Sequence, residues 1–211
     1  MKTLQQPQRR VLAAYDASGV TVYQAFRTET VRAATEKGTF GAGFSLDRMT
    51  WIKPSFGWML HRSGYASKPG QEAIARIQLS HEGFLAILAQ AVPTLYAATL
   101  FSSSAAWNDA LARSDVRCQW DPDRDLFDRK LEHRAIQLGI RGETVRRYVH
   151  DWILGIEEVT DLAHAVRDAA GRAEMALPVV PIEREYPVSA MLARTLGYDN
   201  YDEAPPGNGT V

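Results

Sequence analysis

Five short segments of the chain have the apolar and polar pattern of β-strands. They cover residues 20–26, 47–52, 73–79, 116–120 and 134–141, and each alternates in polarity or is rich in β-branched and aromatic residues. In the first segment the alternation places Val20, Val22, Gln24 and Phe26 on one face. Gln24 is the polar exception there, so it is either a core amide with its hydrogen bonds satisfied or a group that contacts a ligand.

Helical periodicity predicts four helices of ordinary length and one long helix. The ordinary helices cover residues 29–38, 55–63, 81–92 and 103–113. From residue 143 to about 170, apolar residues recur at steps of three and four, which predicts an amphipathic helix that Gly155 and Thr160 would divide in two. Residues 121–124 predict a rigid acidic turn, and the proline-rich segment after residue 177 predicts an extended surface segment.

The order of these elements predicts an α+β fold. The strands interleave with helices, and none has the wholly apolar character of a parallel strand covered on both faces, so we expect a curved, largely antiparallel sheet flanked by helices. With 211 residues and 45% apolar residues, the chain is long enough to bury one sizeable core. We expect a single globular domain over residues 1–198 and a disordered tail over residues 199–211.

Composition narrows the classes of function. A formal net charge of −1 argues against a surface that binds nucleic acid all over. The single cysteine, Cys118, excludes an internal disulfide framework and fits a reducing compartment, and its place in a predicted strand favours a buried structural residue. The sequence shows neither the apolar core of a signal peptide nor a run long enough to span a membrane, so we expect a cytoplasmic protein without a membrane partner.

The segment from residue 47 to residue 72 combines aromatic and cationic residues in a way that predicts the wall of a pocket. Pro54 ends the predicted strand and is tolerated in the first turn of the next helix. Helical spacing then places Ser55, Trp58 and Arg62 on a face different from that of the apolar residues. The alternative interpretation is a core helix with an aromatic cover and a solvated arginine.

Four sequence segments resemble an uncharacterised family. They are YDASGVTVYQAF, DRMTWIKPSFGWMLHRSGYASKPGQE, VRCQWDP and HRAIQLGIRG, and together they resemble the family named domain of unknown function 4291. The resemblance extends to about Thr160, and the segment WIKPSFGWM is its most specific part. This family implies no mechanism.

A weaker resemblance is to the ADP-ribosyltransferase fold. That fold has an aromatic residue and a His or Arg on its first strand, a Ser or Tyr segment, and a glutamate at the start of a later strand. The corresponding positions here are Tyr23 and Gln24, then Ser55 or Trp58, then Glu72. Gln24 stands where the fold usually has His or Arg, and GQE replaces the usual triplet that contains the glutamate.

The resemblance implies an NAD-dependent enzyme that transfers ADP-ribose to an unknown macromolecular acceptor, either a protein or a nucleic acid. Glu72, with Gln24, would be catalytic, since a carboxylate stabilises the oxocarbenium-like state formed at the nicotinamide ribose. The cofactor would be held by aromatic rings, by phosphate-binding cations and by neighbouring polar groups. The cofactor-binding residues would be Tyr23, Trp51, Lys53, Ser55, Trp58 and Arg62.

Two other classes remain alternatives. Arginines near aromatic residues in the later half of the chain suit a nucleic-acid or nucleotide binding module without catalysis, although interleaved acidic residues would cancel much of their field. These arginines are Arg117, Arg124, Arg134, Arg141, Arg146 and Arg147. A metal-dependent hydrolase is less favoured, because the five histidines form no H-x-x-x-H or H-E-x-x-H pair, and we expect no metal.

Overall fold

The β-strands form three sheets in the computed structural model, which describes residues 8–172 and 176–198. The strands are β1 (Leu12–Ala13), β2 (Val20–Phe26), β3 (Thr50–Ile52), β4 (Ala73–Leu79), β5 (Ala91–Pro93), β6 (Val116–Arg124), β7 (Lys130–Ile140), β8 (Ile153–Glu158) and β9 (Arg184–Glu185). The helices are α1 (Thr28–Lys37), α2 (Phe56–Ser63), α3 (His81–Ala89), α4 (Ser104–Arg113), α5 (Gly142–Arg147), α6 (Thr160–Ala170) and α7 (Ala190–Leu196).

Antiparallel pairing predominates within these sheets. One sheet has the order β2-β4-β8, a second has the order β3-β7-β6-β5, and β1 pairs with β9. The β5–β6 pair is parallel, and the other ladders are antiparallel. The predicted α+β class with largely antiparallel strands is therefore confirmed, but the strands are divided among three sheets where a single curved sheet was expected.

Two apolar clusters form the core. The larger cluster lies on the face of β2 and β4 that carries Val20, Val22, Ile77 and Leu79, and it continues to the apolar face of β6 and β7, where Cys118 is buried as predicted. The smaller cluster lies on the opposite face of β2 and β4 and includes Tyr23, Phe56, Met59 and Ile74. It holds α2 and α6 against the first sheet, which fixes the position of the predicted pocket wall.

The predicted long helix over residues 143–170 is wrong in its middle. Helix α5 passes into a π-helical turn, Tyr148–Trp152, and β8 then pairs with β4 before α6 begins at Thr160. In β8, Ile156 is buried opposite Ile77, and Leu154 is exposed where the register shifts between Gln78 and Leu79. The spacing of the apolar residues fitted a helix, but β4 has an edge whose backbone groups need a partner, and residues 153–158 satisfy it.

Two further boundaries differ from the prediction. Residues 121–124 continue β6 where an acidic turn was expected, and the ladder accommodates Pro122 by a register shift between Pro122 and Arg124. The helix expected to reach residue 92 ends at Ala89, and Ala91–Pro93 forms β5. No helix in the described ranges is long and apolar enough to cross a lipid bilayer.

Candidate functional site

Among the described residues, backbone hydrogen bonds join the two larger sheets at one pair, Tyr23 and Lys53. The backbone N–H of Tyr23 donates to the carbonyl of Lys53 at 2.7 Å, and the N–H of Lys53 donates to the carbonyl of Tyr23 at 3.1 Å. Beyond this pair β2 continues along β4 and β3 continues along β7, so the edges of β2 and β3 that face each other are no longer joined by a ladder. The opening between them is the candidate site.

Gln24 bridges the start of this opening. Its Nε2 donates to Oγ1 of Thr50 at 2.6 Å and to the carbonyl of Trp51 at 3.4 Å, and its Oε1 accepts from the hydroxyl of Tyr148 at 2.7 Å. The side chain is buried, so these bonds replace the ladder that is missing between β2 and β3. Gln24 is thus a core amide whose hydrogen bonds are satisfied, and it also forms part of the cleft wall.

The opening is a cleft of about 440 Å³ with a polar lining. Two cations lie in its wall, Lys53 and Arg62, and the described lining residues include no carboxylate. The remaining lining residues are Gln24, Ala25, Phe26, Met49, Thr50, Trp51, Met59, Gln71, Gln119 and Gln137. This balance of charge favours an anionic ligand.

Lys53 has an unusual environment for a lysine. The residue is only 7% exposed, and its Nζ donates to the carbonyl of Trp51 at 3.2 Å. Burial and the positive charge of Arg62 lower the pKa of Lys53 to about 8, although Asp121 opposes this effect. A fraction of the amine is therefore unprotonated near neutral pH.

The floor of the cleft is the polar face of β3, β7 and β6. Trp51 stands beside Gly139 in the register, and a Cβ at Gly139 would lie 2.9 Å from Cζ2 of Trp51, so the indole lies across the glycine. Nε2 of Gln137 donates to Oε1 of Gln119 at 2.8 Å and to Oδ2 of Asp121 at 2.5 Å. These bonds fix the orientation of the amides on the floor.

Helix α2 contributes Arg62 to the cleft, but Ser55 and Trp58 face the protein interior. Ser55 caps the helix: its Oγ accepts from the N–H of Trp58 at 3.1 Å and donates to Oδ1 of Asp123 at 2.8 Å. Trp58 is buried and stacks on His61. Of the three residues predicted to share a face, Arg62 alone is among the described lining residues.

A partly buried polar network beside the cap was not predicted. Oδ2 of Asp123 lies 3.0 Å from Nε2 of His133, and Oε1 of Glu183 accepts from the N–H of Phe56 at 2.6 Å. Burial raises the pKa of Glu183 to about 8, so this carboxyl is largely protonated at neutral pH. Glu183 lies in the proline-rich segment, where no local sequence pattern distinguishes it from a surface residue.

The other predicted residues lie outside the cleft lining. Tyr23 is buried with its ring centroid 4.9 Å from that of Phe56, and its hydroxyl has no hydrogen-bond partner among the described residues. Glu72 is exposed, and its carboxylate accepts from the N–H of Gly70 at 2.7 Å, which holds the pKa of Glu72 below its ordinary value. Its neighbour Gln71 lines the cleft.

The structure therefore brings four of the predicted residues together in the cleft: Gln24, Trp51, Lys53 and Arg62. Sequence reasoning missed the amides of Gln119 and Gln137 because they lie on strands distant in sequence. Their alternation with apolar neighbours is visible in the sequence, but nothing local indicates that their polar face is covered by α2.

Three of the six arginines considered for nucleic-acid binding have acidic partners. Arg141, Arg146 and Arg147 each form an ion pair with an aspartate or glutamate. Arg117 donates to backbone carbonyls of the α4 region. The positive charges of Arg141, Arg146 and Arg147 are therefore opposed by neighbouring carboxylates.

Fold and site together define an α+β protein with a cationic, amide-lined cleft between two largely antiparallel sheets. The chain belongs to the family described as domain of unknown function (DUF4291), whose model matches residues 10–186. Comparisons with curated proteins and with solved structures found no match.

Proposed function

We propose that the protein binds a nucleotide-type ligand, with NAD as the leading candidate, in the cleft between β2 and β3. The observation that carries this proposal is the charge of the lining, in which Lys53 and Arg62 face a cavity that has no carboxylate among its described lining residues. A cavity of about 440 Å³ lies within the usual range for small-molecule sites.

Each lining group has a role in this proposal. The guanidinium of Arg62 would bind phosphate oxygens through paired N–H donors, and Lys53 would add a second positive charge when protonated. The indole of Trp51 supplies a flat surface for a base or nicotinamide ring. The amides of Gln71 and Gln119 suit ribose hydroxyls or the edge of a base.

Isothermal titration calorimetry with NAD and ADP tests this proposal. Arg62→Gln is expected to weaken binding about tenfold or more, since a charge-assisted bond to phosphate is lost. Arg32→Gln, on the exposed face of α1, is the matched control and should bind like the wild type. If neither ligand binds the wild type at millimolar concentration, the nucleotide proposal is wrong.

NAD-dependent transfer of ADP-ribose to a macromolecular acceptor is a second candidate. It is favoured by the position of Glu72, an exposed carboxylate adjacent in sequence to Gln71 in the cleft wall. The carboxylate would stabilise positive charge that develops at the ribose. An assay of nicotinamide release should then show a large loss in Glu72→Gln with little change in NAD affinity, and equal release by both proteins would exclude this role.

A further inference from the structure

We propose that Lys53 is a nucleophilic amine that forms an imine with the aldehyde of a phosphorylated sugar bound in the cleft. The inference rests on the proposed function in one respect, because it takes the same cleft to be an anion-binding site. It goes further in naming a reacting atom, Nζ of Lys53, and a ligand class, phosphorylated aldoses such as ribose 5-phosphate and the terminal ribose of ADP-ribose.

The position of the amine supports this role. Lys53 is the one lysine among the described residues that line the cleft, and its side chain is 7% exposed. The one hydrogen bond described for its Nζ is to the carbonyl of Trp51 at 3.2 Å. This contact orients the amine, and the other hydrogen-bonding positions of Nζ are left for a ligand.

The protonation state of the Lys53 amine also supports its role as a nucleophile. Only a neutral amine attacks a carbonyl, and an ordinary lysine is almost fully protonated at neutral pH. Burial and the positive charge of Arg62 on α2 lower the pKa of Lys53, whereas the negative charge of Asp121 on β6 raises it. The first two effects are larger, so the pKa is about 8. About one molecule in ten then carries the free amine at pH 7.

The neighbouring groups suit a sugar phosphate better than an apolar aldehyde. Arg62 supplies the phosphate contact. Both hydrogen bonds described for Gln137 use its Nε2 as the donor, so its Oε1 is left to accept from a ligand. Gln119 accepts one of these bonds through its Oε1, so its Nε2 is left to donate to a ligand. An acceptor and a donor side by side match adjacent sugar hydroxyls.

The proposed step is balanced without any additional reagent. The lone pair of Nζ forms a bond to the aldehyde carbon while the C=O π bond breaks, and one nitrogen proton moves to the oxygen to give a carbinolamine. The hydroxyl then leaves with the second nitrogen proton as water, and the C=N bond forms. The net reaction of amine and aldehyde gives imine and one water.

Reductive trapping is the direct test. The protein is incubated with ribose 5-phosphate or ADP-ribose, treated with borohydride, and analysed by intact mass and peptide mapping. We expect a single adduct per chain on Lys53, a trapping rate that rises as pH increases through about 8, and no adduct at this position in Lys53→Arg. An adduct distributed over surface lysines, or an equal yield in Lys53→Arg, would overturn the proposal.

A second variant keeps the test valid if Lys53→Arg does not fold. Arg62→Gln retains the amine but raises its pKa, which slows the reaction with both sugars alike. Because the phosphate contact is lost as well, the ratio of the trapping rate with ribose 5-phosphate to that with unphosphorylated ribose is expected to fall about tenfold. Lys130→Arg, at an exposed position of β7, should match the wild type with both sugars. Equal trapping of the phosphorylated and unphosphorylated sugars by the wild type would refute the assigned ligand class.

The test separates this inference from the proposed function. ADP has no aldehyde, so calorimetry with ADP reports the anion site alone. Binding of ADP without any trapping would overturn the imine and leave the nucleotide site in place. Trapping of ribose 5-phosphate without ADP or NAD binding would support the amine and exclude the nucleotide ligand.

Discussion

Replacing Lys53 by methionine is expected to raise the free energy of unfolding near neutral pH. Folding lowers the pKa of this amine from about 10.5 to about 8, because burial and the neighbouring Arg62 disfavour the ammonium form. At about 1.4 kcal/mol for each pH unit, the buried ammonium costs the folded state about 3 kcal/mol. Methionine removes this cost and keeps an unbranched side chain.

The net gain is smaller than that cost, and it depends on pH. Loss of the hydrogen bond from Nζ of Lys53 to the carbonyl of Trp51 offsets about 1 kcal/mol, so we expect a gain of about 2 kcal/mol below pH 8. Between pH 8 and pH 10.5 the unfolded chain binds a proton that the folded chain does not. The wild type therefore gains stability with rising pH in this window, and the advantage of the variant disappears.

Urea unfolding of both proteins at several pH values from about 6 to about 10 measures this effect. Lys130→Met replaces an exposed lysine of β7, and it should alter the free energy of unfolding by no more than about 0.5 kcal/mol at any pH. If Lys53→Met is less stable than the wild type at neutral pH, or if the difference does not change with pH, the described environment of Lys53 is wrong.

Three further variants, with one control, test the surroundings of the site. Gly57→Ala would place a Cβ 2.0 Å from the carbonyl oxygen of Arg124, so we expect a loss of about 2 kcal/mol or more in urea unfolding, whereas Gly155→Ala meets no atom within 4 Å and should be nearly neutral. Gln24→Leu leaves a buried tyrosine hydroxyl without its acceptor and is expected to cost about 1–3 kcal/mol, visible as a lower midpoint with an unchanged slope. Glu183 keeps a proton in the folded state up to about pH 8 that the unfolded chain releases near pH 4.5, so the wild type loses stability as pH rises through this window. Glu183→Gln should lack that loss, and identical pH profiles would contradict the assignment.

The residues within a segment were sufficient to predict its secondary structure where their helix or strand propensity agrees with how the segment packs. Helix α2 begins after Ser55 and ends before Gly64, because the hydroxyl caps the first turn and the glycine adopts the left-handed conformation that closes the helix. Strand β2 covers the predicted residues, and its two faces pack into different clusters: Val20 and Val22 into the larger, Tyr23 into the smaller. In both cases the residues that set the boundary lie within the element itself.

Prediction failed where the partner of a segment is distant in sequence. Residues 153–158 fit helical spacing, but they complete the sheet beside β4, about eighty residues earlier in the chain. Prediction of the candidate site was limited in the same way, by residues that are distant in sequence. Lys53 and Arg62 could be proposed from one short segment, whereas the polar floor formed by β6 and β7 depends on a register that the sequence alone does not specify.

The pairing of β1 with β9 brings two distant parts of the chain together. The N–H of Tyr186 donates to the carbonyl of Val11 at 2.8 Å, so the two ends of the segment matched by the family model lie side by side. A short linker between residues 10 and 186 would close the matched segment into a ring, and α7, whose Ala193 and Leu196 are buried in the larger cluster, would remain outside it. The two larger sheets, and with them the cleft between them, lie wholly within this ring.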